Sequence, residues 1–292
     1  MSEITARQKD PANLEYLKAF DVQYGTAKQF RTPRLVITYL LLLLSPFIVA
    51  NNPQLKIVFT VAIGCWAVFA LLISNYEKKL IHEAAKIQEE FDTRIFQIEW
   101  NSVLTGEHVS TEDITDLSSR YKKKTLDECW YSNLQDMPYP LDVAVCQRSN
   151  IVWDWRLRRK YYNFSIAVIT VIVAAGILLS VYYKHSLEEY LTLILIPSFT
   201  AYILCYKELK EHHDNFTAKQ KMETRLNSLL NNAIDKRSKL TAKELRQVQD
   251  IIYALRKSTA MVPNWFNNAF SKRFNDMQRK TVNTFIERIK KM

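Results

Sequence analysis

The sequence predicts an all-α membrane protein in which four transmembrane helices form two hairpins and cytoplasmic helical extensions form a bundle. Three observations lead there. Four apolar stretches, Leu35 to Ala50, Ile57 to Ser74, Phe164 to Tyr183 and Leu191 to Tyr206, contain no charged side chain. The 292 residues include only four glycines, and neither glycine nor proline interrupts the chain between Gly64 and Gly106 or between Ser198 and Val262, which favours long helices. Of the 40 lysines and arginines, the segments before, between and after the hairpins carry 6, 13 and 19, leaving only Lys56 and Lys184 at the hairpin tips.

The spans follow from length. At roughly 1.5 Å of rise per residue, a helix of this size covers most of a hydrocarbon layer about 30 Å thick. One such stretch alone equally describes a buried helix of a soluble core; four in two pairs point to the bilayer. Lysine and arginine are retained on the cytoplasmic side of short loops, so both termini are expected there. Tyr39, Tyr76, Tyr161, Tyr162, Tyr182, Tyr183, Tyr190 and Tyr206 lie near the span ends, where an amphipathic ring suits the headgroup region. The first 34 residues are polar, so the first span is expected to serve as an uncleaved insertion signal.

The expected organisation is a cytoplasmic segment 1–34, a hairpin 35–75, a cytoplasmic helical region 76–163, a second hairpin 164–206 and a C-terminal helical region 207–292. The second span is expected to continue from Tyr76 to Asn101, with Leu80, Ala84, Ile87, Phe91, Ile95 and Ile98 forming one apolar seam. Ser110-Thr111-Glu112-Asp113 starts a shorter helix, with Lys122, Lys123 and Lys124 as a basic patch near its end. From Pro140 a helix runs through Trp153 and Arg158 into the third span. Beyond the fourth span, Lys207 to Arg237 reads as a helix with Phe216, Met222, Leu226, Leu229 and Ala233 on one side. Thr241 to Glu244 fits a capping box for a helix carrying Leu245, Val248, Ile251, Ile252 and Leu255. Pro263 ends it, and the aromatic stretch Trp265 to Phe274 leads into a last basic helix. These seams need partners, hence the cytoplasmic bundle.

A net charge of +10 is explained by the inside bias alone and calls for no nucleic-acid partner. Cys65 and Cys205 fall within spans, whereas Cys129 and Cys146 have neither metal nor disulfide spacing. There is no glycine-rich phosphate loop and no serine-centred elbow, and His212-His213 are adjacent rather than spaced as paired helical ligands, so no catalytic or metal residue is expected. No ionisable residue lies inside a span as an ion-coupled transporter commonly requires, and Pro46 and Pro197 are tolerable in membrane helices.

The densest polar and aromatic cluster runs from Cys146 to Tyr161. On a helix Gln147, Asn150, Asp154 and Arg158 form one stripe by steps of three and four, with Trp153 and Leu157 alongside. Such a stripe serves either as an interhelical polar network or as a ligand contact.

This signature, with Trp100-Asn101, Trp130-Tyr131 and a terminal Tyr253-x-x-Arg256 followed by Pro263-x-Trp265-Phe266, resembles the SMODS-associated four-transmembrane family of pore-forming effectors. Asn267 stands where that family often has a tyrosine. The resemblance implies a multi-pass protein of the bacterial inner membrane. It would be switched by a cyclic di- or trinucleotide that a partner nucleotidyltransferase makes during phage infection, and would permeabilise that membrane as a homo-oligomer. Arginines for phosphates and aromatic faces for bases would suit such a ligand, which is the only small molecule expected. Gln147, Arg148, Asn150, Trp153, Asp154, Arg158, Tyr253, Arg256 and Trp265 have that chemistry, with core packing or phospholipid contact as the alternative for each. With four spans per chain, a conducting path is expected between subunits. The rival reading is a membrane-anchored helical scaffold that recruits a protein partner without a pore.

Overall fold

The computed structural model describes residues 3–122, 130–131, 134–135, 137–258 and 260–291. Lys123 and Lys124 of the expected basic patch, and Cys129, lie outside the described residues. Among the described residues there is no strand. The helices are α1 (Glu3–Arg7), α2 (Pro11–Asn51), α3 (Lys56–Phe96), α4 (Ser102–Thr105), α5 (Thr111–Ser119), α6 (Leu141–Tyr182), α7 (Leu187–Glu189), α8 (Ile196–Ile234), α9 (Ala242–Lys257) and α10 (Asn264–Lys290), with a 3-10 turn Pro53–Leu55 and a π-helical stretch Tyr190–Leu195.

Four helical stretches, Pro11–Val49, Pro53–Phe96, Leu141–Tyr182 and Leu187–Ile234, are long and apolar enough to cross a membrane, and they cover the four expected spans to within one residue at the ends of the first and third. The chain is therefore a multi-pass membrane protein. Its lipid-facing character is visible in the exposure of Val58, Val61, Val68, Phe69 and Leu72 on α3, and of Val171, Leu178 and Val181 on α6. In water this surface would be costly; in hydrocarbon it is not.

Several boundaries differ from the sequence reading, among them the end of α8 at Ile234 rather than Arg237. α2 begins at Pro11, so most of the polar N-terminal segment is helical; proline suits a first turn, and Leu17, Phe20 and Ala27 supply a buried face. α3 stops at Phe96 rather than reaching Asn101, because Gln97 turns left-handed at φ 52° and the Ile98 amide closes back on the Thr93 carbonyl. The aromatic stretch after Pro263 belongs to α10 itself. The expected caps are present: Ser110 accepts the Asp113 amide, and Thr241 and Glu244 form a reciprocal capping box.

The described residues fall into two compact units. The first comprises residues up to Ala27, Lys78–Leu157 and those from Asn215 on. Its core joins Leu17 and Phe20 to Ile87, Phe91, Ile95 and Phe96 of α3, Val143 and Ala144 of α6, and Phe285 and Ile286 of α10. A smaller cluster sets Ile151 against Met222, Leu226, Val248 and Ile252. The α3 seam is buried as expected from Leu80 to Ile98. On α8 Phe216, Met222 and Leu226 are buried as expected, but further on Leu230 and Ile234 are buried rather than Leu229 and Ala233, a one-residue rotation of the face at that end. On α9 Ile251 is exposed, while Gln249 and Tyr253 are buried in its place.

The second unit comprises Lys28–Glu77 and Arg158–Asp214. It is a four-helix bundle whose interior joins Leu42, Ile63, Ile172, Ala201 and Cys205, so each of α2, α3, α6 and α8 contributes.

Candidate functional site

Of the buried acidic residues of α3, Glu89 and Asp92 sit beside the apolar seam of Ile87, Phe91 and Ile95. Glu89 and Asp92 are both fully buried, and each is held by several donors. The Asp92 carboxylate accepts from the Tyr131 hydroxyl at 2.9 Å, the Gln249 amide at 3.1 Å and the Arg256 guanidinium at 2.6 Å. Glu89 accepts from Arg246 at 2.5 Å and from Gln249 at 2.7 Å. Gln249 in turn accepts from Gln147 at 3.1 Å, and Gln147 also donates to the Leu245 carbonyl at 3.0 Å. Asn150 reaches the Tyr131 hydroxyl at 3.3 Å. At the edge, Arg246 binds Asp250 and the Glu99 carbonyl, and Asn101 donates to Asp250 while capping α4.

Burying these charges is tolerable only because the acids and guanidiniums are set against each other with hydrogen bonds on the remaining oxygens. Burial raises the Glu89 carboxyl, opposed by the charge of Arg246 and reinforced by Asp92. Burial and the Asp92 charge together raise the Tyr131 phenol, which stays a donor. Burial would lower Arg256, but Asp92, with Tyr131, Tyr24 and Glu89 adding to it, outweighs burial and the guanidinium is held charged. Two buried atoms in this network have no hydrogen-bond partner among the described residues, the Gln147 Oε1 and the Arg256 Nη2.

The structure thus brings Gln147, Asn150, Tyr253 and Arg256 to the neighbourhood of one network, although they lie about 100 positions apart in sequence. Tyr253 is buried on α9, with its hydroxyl 3.3 Å from His82 Nε2 and Lys257 5.2 Å above its ring. Arg148 is turned elsewhere, donating to Asn227 at 2.5 Å and Glu223 at 3.2 Å over the Phe285 ring. Trp153 donates to Asn275 at 2.9 Å and packs edge-on to Phe274. Asp154 pairs with the buried Lys219 at 2.5 Å. Trp265 is exposed and packs its edge against Phe266. The α6 stripe therefore meets a different neighbour at each turn.

Arg158 belongs to the second unit. There a cluster of buried ionisable side chains lies at the basic end of all four spans: Arg31 and Arg34 before the first, Glu77 after the second, Arg158 before the third, and Glu208 and His212 after the fourth. Glu77 bridges Arg31 at 2.7 Å and Arg34 at 2.8 Å, and Glu208 pairs with Arg31 and lies 3.6 Å from Arg34. His212 stands 3.3 Å from Arg31 and 3.4 Å from Arg158.

Sequence reasoning missed Glu89, Asp92, Arg246 and Gln249. The available signal was their position: Glu89 and Asp92 fall between Ile87, Phe91 and Ile95 of a seam otherwise read as apolar, and a charge there needs a partner.

Among known proteins, a model of the SMODS-associating 4TM effector domain matches residues 2–285. A Bacillus cereus (strain VD146) protein named "Probable CBASS effector molecule" is 32% identical over 276 residues, covering 89% of this chain and 90% of that protein. No solved structure matches.

Proposed function

The chain belongs to the SMODS-associating 4TM effector family, and from that membership we propose how it works as a membrane effector of bacterial anti-phage defence. A cyclic di- or trinucleotide made by a partner nucleotidyltransferase binds the first unit, and the bound form permeabilises the inner membrane as a homo-oligomer. Both termini face the cytoplasm, where the nucleotide is made. The protein is not an enzyme in this reading; it converts binding energy into a change of membrane state.

The observation that carries the reading is the Glu89–Asp92 network. Its guanidiniums, Arg246 and Arg256, are the residues best suited to a phosphodiester, and in this structure they are held by internal carboxylates. A nucleotide that supplies phosphates to them competes with Glu89 and Asp92 for the same donors. The unpartnered Gln147 Oε1 and Arg256 Nη2 supply one acceptor and one donor for the incoming ligand. A ligand shifts the equilibrium only by binding the rearranged network better than this one.

A thermal-shift panel of cyclic di- and trinucleotides on detergent-solubilised protein tests binding, since a ligand of the folded state raises its apparent stability by mass action. Dye release from proteoliposomes tests the membrane step. Binding by one nucleotide with release of dye supports the reading. Binding without release favours a scaffold that recruits a protein partner, and no binding by any member of the panel removes the nucleotide from the account.

A further inference from the structure

The interior of the second unit is layered. At the basic end lies the charged cluster of Arg31, Arg34, Glu77, Arg158, Glu208 and His212. One turn further into α2 the buried Thr38 hydroxyl accepts the Trp66 indole N–H at 3.0 Å, with buried Ser165 on α6. Next comes an apolar layer of Leu42, Ile63, Ile172 and Ala201, one residue from each of the four helices and all buried. Beyond it the Ser45 and Ser198 hydroxyls meet at 2.8 Å, both with no exposure. The order agrees on each helix of the bundle: Arg34, Thr38, Leu42 and Ser45 ascend α2, Ile63, Trp66 and Glu77 descend α3, Arg158, Ser165 and Ile172 ascend α6, and Ser198, Ala201 and Glu208 descend α8.

From this arrangement we propose that a path for small ions runs through the inside of the four-helix unit, closed by a single hydrophobic gate at Leu42, Ile63 and Ile172. The proposal rests on the permeabilising reading above and replaces the expected path between subunits with one inside a single chain.

Thr38 and Ser45 are seven residues apart, so the dry layer between the two hydroxyl levels is about 10 Å deep at helical rise. A layer of that depth, lined by branched apolar side chains, excludes water and with it hydrated ions, and wets when the helices separate slightly. A proline adjoins each member of the serine pair. Pro46 has no N–H to offer the Leu42 carbonyl, and Pro197 has none for Leu193, which lies in the π-helical stretch Tyr190–Leu195. Two of the four walls therefore have a weakened helical ladder close to the gate, at the level of Leu42 on α2 and beyond Ser198 on α8, where a small bend costs least.

The test is potassium flux from proteoliposomes of phosphatidylethanolamine and phosphatidylglycerol, with the full-length protein and no nucleotide. Leu42→Ser and Ile172→Ser are expected to raise flux about tenfold or more over the unsubstituted protein, because a polar residue wets the gate. Ile63→Thr, which keeps the β-branch and removes less volume than serine does, does the same if either serine variant fails to elute as a single species. Val68→Ser, on the exposed face of α3, is expected to stay tight. Gate variants that fold and remain as tight as the parent overturn the proposal, as does an equal leak from Val68→Ser. The parent protein with cyclic di- and trinucleotides is measured in parallel. A response there with tight gate variants rejects the internal path and keeps the permeabilising reading. Leaky gate variants with an unresponsive parent keep the gate and reject nucleotide control.

Discussion

The Arg256 guanidinium donates to the Asp92 carboxylate at 2.6 Å across 164 positions of sequence, fastening α9 to α3 inside the first unit. Both groups are out of water, so the pair is valuable chiefly because neither member can be left alone.

Asp92→Ala should therefore destabilise the first unit by about 3–5 kcal/mol, since it leaves the Arg256 charge buried and also strips an acceptor from Tyr131 and Gln249. Replacing both partners, Asp92→Leu with Arg256→Met, should restore a large part of that loss. Chemical denaturation followed by tryptophan fluorescence measures both, and equal destabilisation by the single and double variants would contradict the pairing argument.

Arg256→Lys separates structure from recognition. The ammonium keeps the charge that Asp92 requires but lacks the planar fork that matches a phosphodiester. Thermal stability without ligand should fall modestly, whereas the nucleotide-induced shift should be lost. A retained shift would move the nucleotide contact away from this arginine.

His82 gives the first unit a pH dependence. Burial, with the charges of Lys257 and Lys86, lowers its imidazole below the usual 6.5, so the unfolded chain takes up a proton more readily than the folded one. The proton also removes the Nε2 lone pair that the Tyr253 hydroxyl faces at 3.3 Å. Stability should thus be undiminished by this group above pH 6.5 and should fall as the pH drops through that region. His82→Gln should flatten the dependence, which melting temperatures between pH 5 and 8 would reveal.

The faces of α8 and α9 predict contrasting costs. Leu226→Ala opens a cavity among Ile151, Met222, Val248 and Ile252 and should cost about 2–5 kcal/mol. Ile251→Ala, on an exposed position, should stay within about 0.5 kcal/mol of the parent. Similar losses at both sites in urea titrations would reverse the assignment of buried face.

The spans, the α3 seam and the capping boxes were legible because each rests on a local rule: absence of charge, a three-four repeat, a serine or threonine three residues before an acid. The buried faces of α8 and α9 were harder. Leu229 and Leu230 are equally apolar, and so are Ile251 and Ile252, so only the packing partner decides which turns inward. The site was legible from one side only. Gln147, Asn150, Tyr253 and Arg256 announced themselves by chemistry, but Asp92 is marked in sequence only by its place between Phe91 and Ile95 of the α3 seam, which does not name its partners. Its importance arises from donors that lie 39, 157 and 164 positions away, which no local pattern encodes. The α6 stripe was correct as a spacing and misleading as a unit, because a helix of 42 residues passes successive neighbours along its length.

Glu77 and Glu208 are withdrawn from the surface to meet Arg31 and Arg34, and mobile counter-ions cannot reach them there. Exposed pairs such as Arg120 with Asp116 fade as ionic strength rises, whereas a shielded cluster hardly senses it. Molar salt washes should accordingly strip adventitious anions and loosely adhering proteins during purification while leaving the base of the membrane bundle fastened.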